Sequence, residues 1–486
     1  MSSIALLMHP VFLILLPLVG SLGVFLLPFK RAASGVAIVS GNLALVAWVV
    51  ARLGTAGPWQ HSVGGWGAPL GIDLYVDGLS AAMLAMTALV SLGISVYSTA
   101  YFSTAAARHF WPLWLLLLSA MNALYLSRDL FNLYVTLELV GIAAVALTAM
   151  RGQRDALVAA MRYLLTTLLG SMSYLLGVAL LYHSAGSADM VLVGEASVPA
   201  AVAAAAFALM TVGLLLKTAL FPFHFWLPGA HSSASAPVSA ALSALVVKVG
   251  FYILLRLWIE VFPSLGVDAA YILGFLGGVA VVWGSLQAIL QQRAKMLVAY
   301  STVAQLGYFF LALPLVSAGG SHVWGAIVLL VFAHALAKAA MFMAVGNLLA
   351  FAGHDRIRDL DRVVQRMPLT AAALGLAGVS IMGLPPSGGF SGKWLLLQAS
   401  LEQGHWPITF ILLLGGVLAA IYVFKLLEHI FTSGTPRGEP RAVAHAMEWA
   451  PLMLAIGAIL LGFFATITLD LLTVGEPFAP GLRDDY

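Results

Sequence analysis

A long apolar stretch of the chain is interrupted at residues 217–228, which read Lys217-Thr-Ala-Leu-Phe-Pro222-Phe-His224-Phe-Trp-Leu-Pro228. A second interruption lies at residues 383–393, which read Gly383-Leu-Pro385-Pro386-Ser-Gly388-Gly389-Phe-Ser-Gly392-Lys393. Proline removes a backbone donor and clashes with the preceding helical turn, so each stretch predicts a broken helix. Inside a bilayer, such backbone is tolerated only where protein or a water-filled cavity covers it. Paired breaks in corresponding halves of a sequence are typical of an inverted-repeat transporter.

The composition of the chain is that of a membrane protein with many spans. Its 486 residues are 62% hydrophobic and only 9% charged, whereas soluble domains are about 25% charged. The chain contains no cysteine, which excludes disulfides, thiolate metal sites and iron–sulfur clusters. It contains no Walker loop, dinucleotide fingerprint or nucleophile elbow. We therefore expect no cofactor, no metal, no nucleic-acid partner and no enzymatic activity of this chain by itself.

Apolar stretches of about 18 or more residues are candidate transmembrane helices. Fourteen are present, at residues 5–28, 34–52, 77–99, 109–126, 129–150, 156–182, 200–221, 236–259, 268–289, 294–314, 322–350, 368–400, 406–430 and 447–472. The breaks fall in spans seven and twelve, five spans apart. Because five is an odd number, a repeat that starts five spans later crosses the membrane in the opposite direction. We predict an all-α integral membrane protein with two inverted five-helix repeats, spans 4–8 and 9–13. The expected divisions are 1–105, 106–262 (first repeat), 263–432 (second repeat) and 433–486.

The distribution of Lys and Arg over the loops supports this count and predicts the orientation. One alternate set of loops holds thirteen of the 23, namely Lys30, Arg31, Arg108, Arg151, Arg154, Arg293, Lys295, Arg356, Arg358, Arg362, Arg366, Arg437 and Arg441. The other set holds three, namely Arg52, Arg128 and Arg483. Because basic loops stay in the cytoplasm, we expect a bacterial or archaeal plasma-membrane protein with both termini on the non-cytoplasmic side.

Six ionisable side chains lie inside otherwise apolar spans: Glu138, Lys217, Lys248, Lys338, Lys393 and Lys425. A charge at the centre of a bilayer helix costs about 2.5–3.5 kcal/mol on insertion scales, so such groups indicate an ion or proton pathway. Glu138 is the only acid deep within any predicted span, and Lys217 is a candidate partner whose proton would be released when the glutamate moves away. The alternative is a static buried ion pair.

The remaining candidates extend this predicted relay. His334 and Lys338 lie one helical turn apart and share a face, and imidazole suits proton transfer near neutral pH. The alternative for His334 is a packing residue. Lys248 lies between the two breaks. Lys393 follows the second break and is expected at the far end of the relay.

Three further residues carry open alternatives. Lys425 lies near the end of a span, where it either joins the relay or extends to the interface. His224 and His231 lie at the end of the first broken helix, where they could take up protons. No carboxylate neighbours them in sequence, which argues against a metal site. Arg162 and Arg256 are interpreted as anchors of helix ends.

Several motifs resemble those of the antiporter-like subunits shared by Mrp-type cation/proton antiporters, the membrane arm of respiratory complex I and membrane-bound hydrogenases. They are Gly71-Ile-Asp73-Leu-Tyr-Val-Asp77-Gly-Leu-Ser80, the Glu138 span, both breaks, Ser235-Ala-Pro237-Val-Ser239, Arg293-Ala-Lys295-Met-Leu-Val-Ala-Tyr300-Ser301 and His334-Ala-Leu-Ala-Lys338. The resemblance implies a fourteen-helix fold, a Glu138–Lys217 pair, a connecting Lys248 and a terminal Lys393. It also implies a larger complex with other membrane subunits, including a second antiporter-like subunit.

The resemblance favours the Mrp D-type subunit, because span eight carries Lys248, span eleven carries the His334-xxx-Lys338 pattern and no long lateral helix follows span fourteen. The preferred function is therefore proton translocation within a multisubunit Na⁺/H⁺ antiporter, with Na⁺ handled by a partner. The alternatives are the proton-pumping membrane arm of a redox complex, a proton-flux subunit for inorganic-carbon uptake and a scaffold that no longer conducts. The charged loop 351–367 either docks a neighbour or closes surface ion pairs.

Overall fold

The computed structural model describes residues 9–27, 30–263, 267–317, 321–360, 363–431 and 442–475. Arg362, Arg437, Arg441 and Arg483 of the loop analysis, and parts of the predicted 433–486 division, lie outside these residues. Twelve helices of the described part are long and apolar enough to cross a membrane. Two shorter apolar helices, Val11–Leu26 and Pro368–Met382, correspond to the first predicted span and to the first half of the twelfth. The predicted set of fourteen segments is confirmed.

The first eight segments are α1 (Val11–Leu26), α2 (Arg31–Ala56), α3 (Gly78–Tyr101), α4 (Thr104–Leu126), α5 (Leu130–Ala149), α6 (Arg154–Ala185), α7a (Ala200–Thr218) with α7b (Leu227–Ser233), and α8 (Ala236–Val261). The other six are α9 (Val267–Leu290), α10 (Ala294–Leu311), α11 (Ser321–Ala352), α12a (Pro368–Met382) with α12b (Gly388–Glu402), α13 (Trp406–Phe431) and α14 (His445–Phe463). An antiparallel hairpin, β1 (Trp59–Ser62) and β2 (Asp73–Val76), precedes α3. Short helices lie at Met190–Glu195, Leu313–Ser317, Val363–Arg366 and Ala465–Thr473.

The fold places two helices at the centre of the molecule. The apolar windows of α8 and α11 are buried along their whole length, whereas much of α2 and α13 is left uncovered by protein. The central helices carry Lys248 and Lys338, both of which are fully buried. Surrounding helices therefore separate these amines from lipid, which an exposed position on an outer helix would not allow.

Side chains and local backbone geometry stabilise the break in α7. Ala219 adopts a left-handed conformation with φ 58°, which ends α7a. The indole N–H of Trp226 donates to the carbonyl of Leu216 at 3.0 Å, and its ring stacks on Tyr163 with 4.1 Å between centroids. A carbonyl near the end of α7a thus finds a donor inside the protein, as membrane depth requires.

Glycines make the second break possible. Gly383 ends α12a with φ 81°, a conformation that glycine adopts without steric cost. The hydroxyl of Ser387 then caps α12b by accepting from the N–H of Phe390 at 3.1 Å. A Cβ on Gly389 would collide with the carbonyl oxygen of Ser380, so this glycine lets the two half-helices approach closely. The units α4–α8 and α9–α13 each carry their broken helix in fourth place, as the sequence predicts.

The described part of loop 351–367 is attached to the turn between α9 and α10. The carboxylate of Asp355 accepts from the guanidinium of Arg293 at 2.9 Å, and its carbonyl accepts from the N–H of Ala294 at 2.8 Å. The N–H of Ile357 donates to the carbonyl of Gln292 at 3.0 Å. At Asp355, therefore, the loop closes an ion pair within the chain.

Candidate functional site

The first pair of the predicted relay lies between α5 and the end of α7a. The ammonium of Lys217 donates to the carboxylate of Glu138 at 2.8 Å, and the two side chains are 6% and 19% exposed. The hydroxyl of Ser171 on α6 donates to the same carboxylate. Lys217 lies in the last turn of α7a, where the partial negative charge of a helix C-terminus favours a cation. The expected Glu138–Lys217 contact is confirmed, while its role stays a prediction.

Lys248 is held by irregular backbone within α8. A π-helical turn at Leu242–Val246 precedes the segment that carries this lysine. The ammonium donates to the carbonyls of Ser243, at 3.2 Å, and Ala244. Because π-turns displace backbone groups from the regular helical pattern, they leave acceptors available to a side chain and are frequent at functional sites.

A hydroxyl bridge joins the two central helices through α10. The side-chain oxygens of Ser243 and Thr302 lie 2.8 Å apart. Thr302 also donates to the carbonyl of Val298 at 3.1 Å, and the ammonium of Lys338 donates to that same carbonyl at 3.1 Å. Lys338 bonds to the hydroxyl of Ser301 as well. The Ser243–Thr302 hydroxyl pair therefore lies between the two lysines. Lys248 bonds to the backbone carbonyl of Ser243 and not to its hydroxyl, and Lys338 shares the Val298 carbonyl with Thr302.

His334 and Lys393 lie beyond this bridge. His334 is 4% exposed, has no hydrogen-bond partner on either ring nitrogen within the described residues, and interacts electrostatically with Lys248, Lys338 and Lys393. The ammonium of Lys393 donates to the carbonyl of Ile381 at 2.8 Å and lies 4.4 Å from the ring centroid of Tyr308. Its side chain thus returns from α12b to the C-terminal carbonyls of α12a. Lys217 and Lys393 are therefore each held beside the C-terminus of the first half of a broken helix, α7a for Lys217 and α12a for Lys393.

The three residues with open alternatives make different contacts. Lys425 donates to the carbonyls of Ile289, at 2.5 Å, and Gln291, at 2.7 Å, and thereby caps the end of α9. His224 accepts from the indole of Trp283 at 3.3 Å in the break of α7. His231, on α7b, is fully buried and stacks on Phe342, with no hydrogen bond to either ring nitrogen among the described residues.

A buried ion network that the sequence does not predict lies at the other end of α8. Arg256, interpreted above as a helix-end anchor, is 3% exposed and donates to both carboxylate oxygens of Asp77 at 2.6 Å. Arg256 also pairs with Glu260 at 3.1 Å, and Glu260 pairs with Arg128 at 3.1 Å. Glu260 lies one residue before the end of α8 at Val261, beyond the predicted span 236–259, so it is an acid of the helix end and not of its middle.

Asp77 also begins α3, and this explains why it is buried. Its side chain accepts from the N–H of Ser80 at 2.8 Å in a capping box. Burial raises the pKa of Asp77, but the guanidinium of Arg256 and the hydrogen bonds of Ser80 outweigh that effect and hold the pKa below its ordinary value. The motif Asp77-Gly-Leu-Ser80 was a signal for the cap; the arginine partner is 179 positions away.

Comparisons with known proteins agree with this architecture. The family described as NADH:quinone oxidoreductase/Mrp antiporter, TM, matches residues 127–419. The N-type subunit of the NADH-quinone oxidoreductase of Desulforudis audaxviator is 34% identical, over 94% of this chain and 95% of the relative. The D-type subunit of the Na⁺/H⁺ antiporter of Bacillus subtilis is 26% identical, over 89% and 87%. A chain of the Mrp complex from Dietzia sp. has the same fold, with a TM-score of 0.90 and 23% identity over 98% of both chains.

These comparisons confirm the family and leave the D-type assignment within it unconfirmed, because the N-type relative is more identical than the D-type relative. The three sequence details that favour a D-type protein concern few positions, whereas the shared architecture spans nearly the whole chain. The relatives are subunits of prokaryotic complexes, and this chain is likewise a membrane protein with many spans. It belongs to the transmembrane family of NADH:quinone oxidoreductase and Mrp antiporter subunits.

Proposed function

We propose that this chain translocates protons along a relay of buried groups: Glu138, Lys217, Lys248, His334, Lys338 and Lys393. The observation that carries the proposal is the position of the Ser243–Thr302 hydroxyl pair between the fully buried Lys248 and Lys338, each of which contacts a backbone carbonyl beside that pair. Hydroxyls donate and accept, so they suit proton transfer between amines. A purely structural core would gain little from burying these amines at the cost that membrane charges carry.

In this proposal the Glu138–Lys217 pair is the switch. While the carboxylate contacts Lys217, it favours the protonated amine. Separation of the pair would leave the ammonium in a buried position with its counter-ion removed, so its proton would pass toward Lys248. Lys393 ends the relay, and His231 and His224 are candidates for proton uptake near α7b. Lys425 is left outside, because its hydrogen bonds go to the end of α9.

The preferred assembly is a multisubunit Na⁺/H⁺ antiporter in a bacterial or archaeal plasma membrane, with a second antiporter-like subunit and Na⁺ bound elsewhere. The basic loops would face the cytoplasm and both termini the other side. The 34% identity to an N-type relative favours a second candidate, the membrane arm of a redox complex. Mass spectrometry of the complex purified from native membranes separates the two: flavin or iron–sulfur subunits would exclude the antiporter.

The relay itself is tested in vesicles that contain the intact complex. We expect Lys248→Met to abolish proton flux, measured with a trapped pH-sensitive dye. Lys425→Met is the matched control, since it removes a lysine from a span outside the relay and should retain flux per assembled complex. Flux equal to wild type in an assembled Lys248→Met complex would refute the proposal.

A further inference from the structure

A polar cavity of about 700 Å³ opens where the first turns of α6 and α10 meet α7b. Its walls carry Arg151, Arg154, Arg162, Arg293 and Lys295, but only two acids, Asp155 and Asp355. The lining therefore has an excess of three positive charges. None of the six proposed relay groups lines the cavity, and neither does His231, although the cavity reaches its neighbours Gly229 and Ser232 on α7b.

The two acids leave most of this charge uncompensated. The carboxylate of Asp355 accepts from Arg293 at 2.9 Å and from the backbone N–H of Lys295 at 3.3 Å. Arg154 and Arg162 form no ion pair among the described residues. Lys295 is only 6% exposed and interacts electrostatically with Asp355, but no ion pair joins them; its ammonium donates to the carbonyl of Ala234. A buried cation of this kind is stabilised by a partner anion.

The cavity continues into an apolar surface on α6. Val158 lines the cavity between Arg154 and Arg162, one helical turn from each, and is 44% exposed. Leu157, Met161 and Leu165 extend the surface along the same helix, with exposures of 50%, 55% and 60%. The basic cavity at the start of α6 is thus continuous with an exposed apolar face of the same helix, which acyl chains could contact. A soluble anion would use the charge alone, whereas an amphiphile would use both parts.

We propose that this cavity binds the headgroup of an anionic phospholipid, with its phosphate beside Arg154, Arg162 and Lys295 and its acyl chains along Val158, Met161 and Leu165. Arginine forms paired hydrogen bonds with phosphate, and basic pockets between membrane helices commonly bind anionic lipid headgroups. The inference is independent of proton movement, because none of these residues belongs to the proposed relay.

The test measures binding of fluorescent phosphatidylglycerol to the intact complex after detergent exchange has removed native lipid. Each surface arginine contributes about fivefold to the affinity for anionic lipid, so we expect Arg154→Gln with Arg162→Gln to weaken binding by about 25-fold. Arg108→Gln is the control, since Arg108 is exposed near the start of α4 and does not line the cavity. The double lysine variant, Arg154→Lys with Arg162→Lys, keeps the charge and should retain most of the binding.

Three results would overturn the proposal. Equal binding by wild type and the double glutamine variant, with thermal unfolding unchanged, would place the lipid elsewhere. A second result is that inorganic phosphate displaces the probe, whereas phosphatidylglycerol competes no better than phosphatidylcholine. That result would indicate that the cavity binds a soluble anion. Cross-links from Lys295 to acidic residues of another subunit in the native complex would show that a protein segment occupies the cavity.

Discussion

Replacing Thr302 by valine removes the hydroxyl that connects the two central lysine helices while keeping the β-branched shape of the side chain. The change deletes the 2.8 Å contact with Ser243 and the 3.1 Å bond to the carbonyl of Val298. Ser243 is fully buried, and its hydroxyl has no other hydrogen bond among the described residues. Both lysines keep their own carbonyl contacts, so the variant interrupts the bridge without removing a charge.

The magnitude follows from the buried hydroxyl left behind. A buried donor or acceptor without a partner costs about 1–3 kcal/mol. If the proton passes through the Ser243–Thr302 pair, the transfer state loses its partner at residue 302, and a loss of about 1–3 kcal/mol in that state lowers the flux by roughly 5- to 150-fold. If the bridge only stabilises the helices, the cost lowers thermal stability and leaves the flux of each assembled complex unchanged.

The assay is proton flux per assembled complex in vesicles, measured beside thermal unfolding. Thr148→Val is the matched control, because Thr148 is also fully buried and its hydroxyl bonds at 2.8 Å to a carbonyl of its own helix, that of Ala144. Thr302→Ser restores the hydroxyl and should recover flux. Wild-type flux in Thr302→Val, or equal losses in the valine and serine variants, would show that protons do not pass through this hydroxyl pair.

Three further predictions concern stability and the switch. Lys217→Met should stop flux and destabilise the fold by about 3–5 kcal/mol, because it leaves Glu138 as an unpaired charge. The double variant that also carries Glu138→Gln should recover thermal stability but not flux. Recovered flux in the double variant would contradict the switch. Asp77→Asn should also destabilise the protein at neutral pH, measured by thermal unfolding. Since the pKa of Asp77 lies below its ordinary value of 3.8, this contribution is present above that pH and is lost as the pH falls through the lowered pKa, so wild type and variant should converge in acid. Gly389→Ala should lower the unfolding temperature by forcing α12b away from α12a. Gly375→Ala is the control and should have little effect, because a Cβ at this position meets no atom within 4 Å. Equal effects of the two variants would contradict the close approach of the half-helices as the cause.

The sequence by itself determined the spans and their interruptions. Hydropathy is a local property, so each apolar run of sufficient length reveals a helix without knowledge of its neighbours. Proline and glycine also act locally on the backbone, which is why both breaks were predicted at the correct residues. The lysines within spans stood out for the same reason, since a charge is conspicuous against an apolar background.

Which of these groups meet depends on helix packing, and helix packing becomes visible only in the folded protein. Ser243 and Thr302 are 59 positions apart and Asp77 and Arg256 are 179 apart, and no periodicity within one helix specifies which faces pack together. Lys425 and Lys393 look alike in sequence, yet one caps the end of α9 and the other returns to the carbonyls of α12a. Span positions follow from local composition, whereas the contacts that could pass a proton depend on how helices distant in sequence rotate and pack against one another.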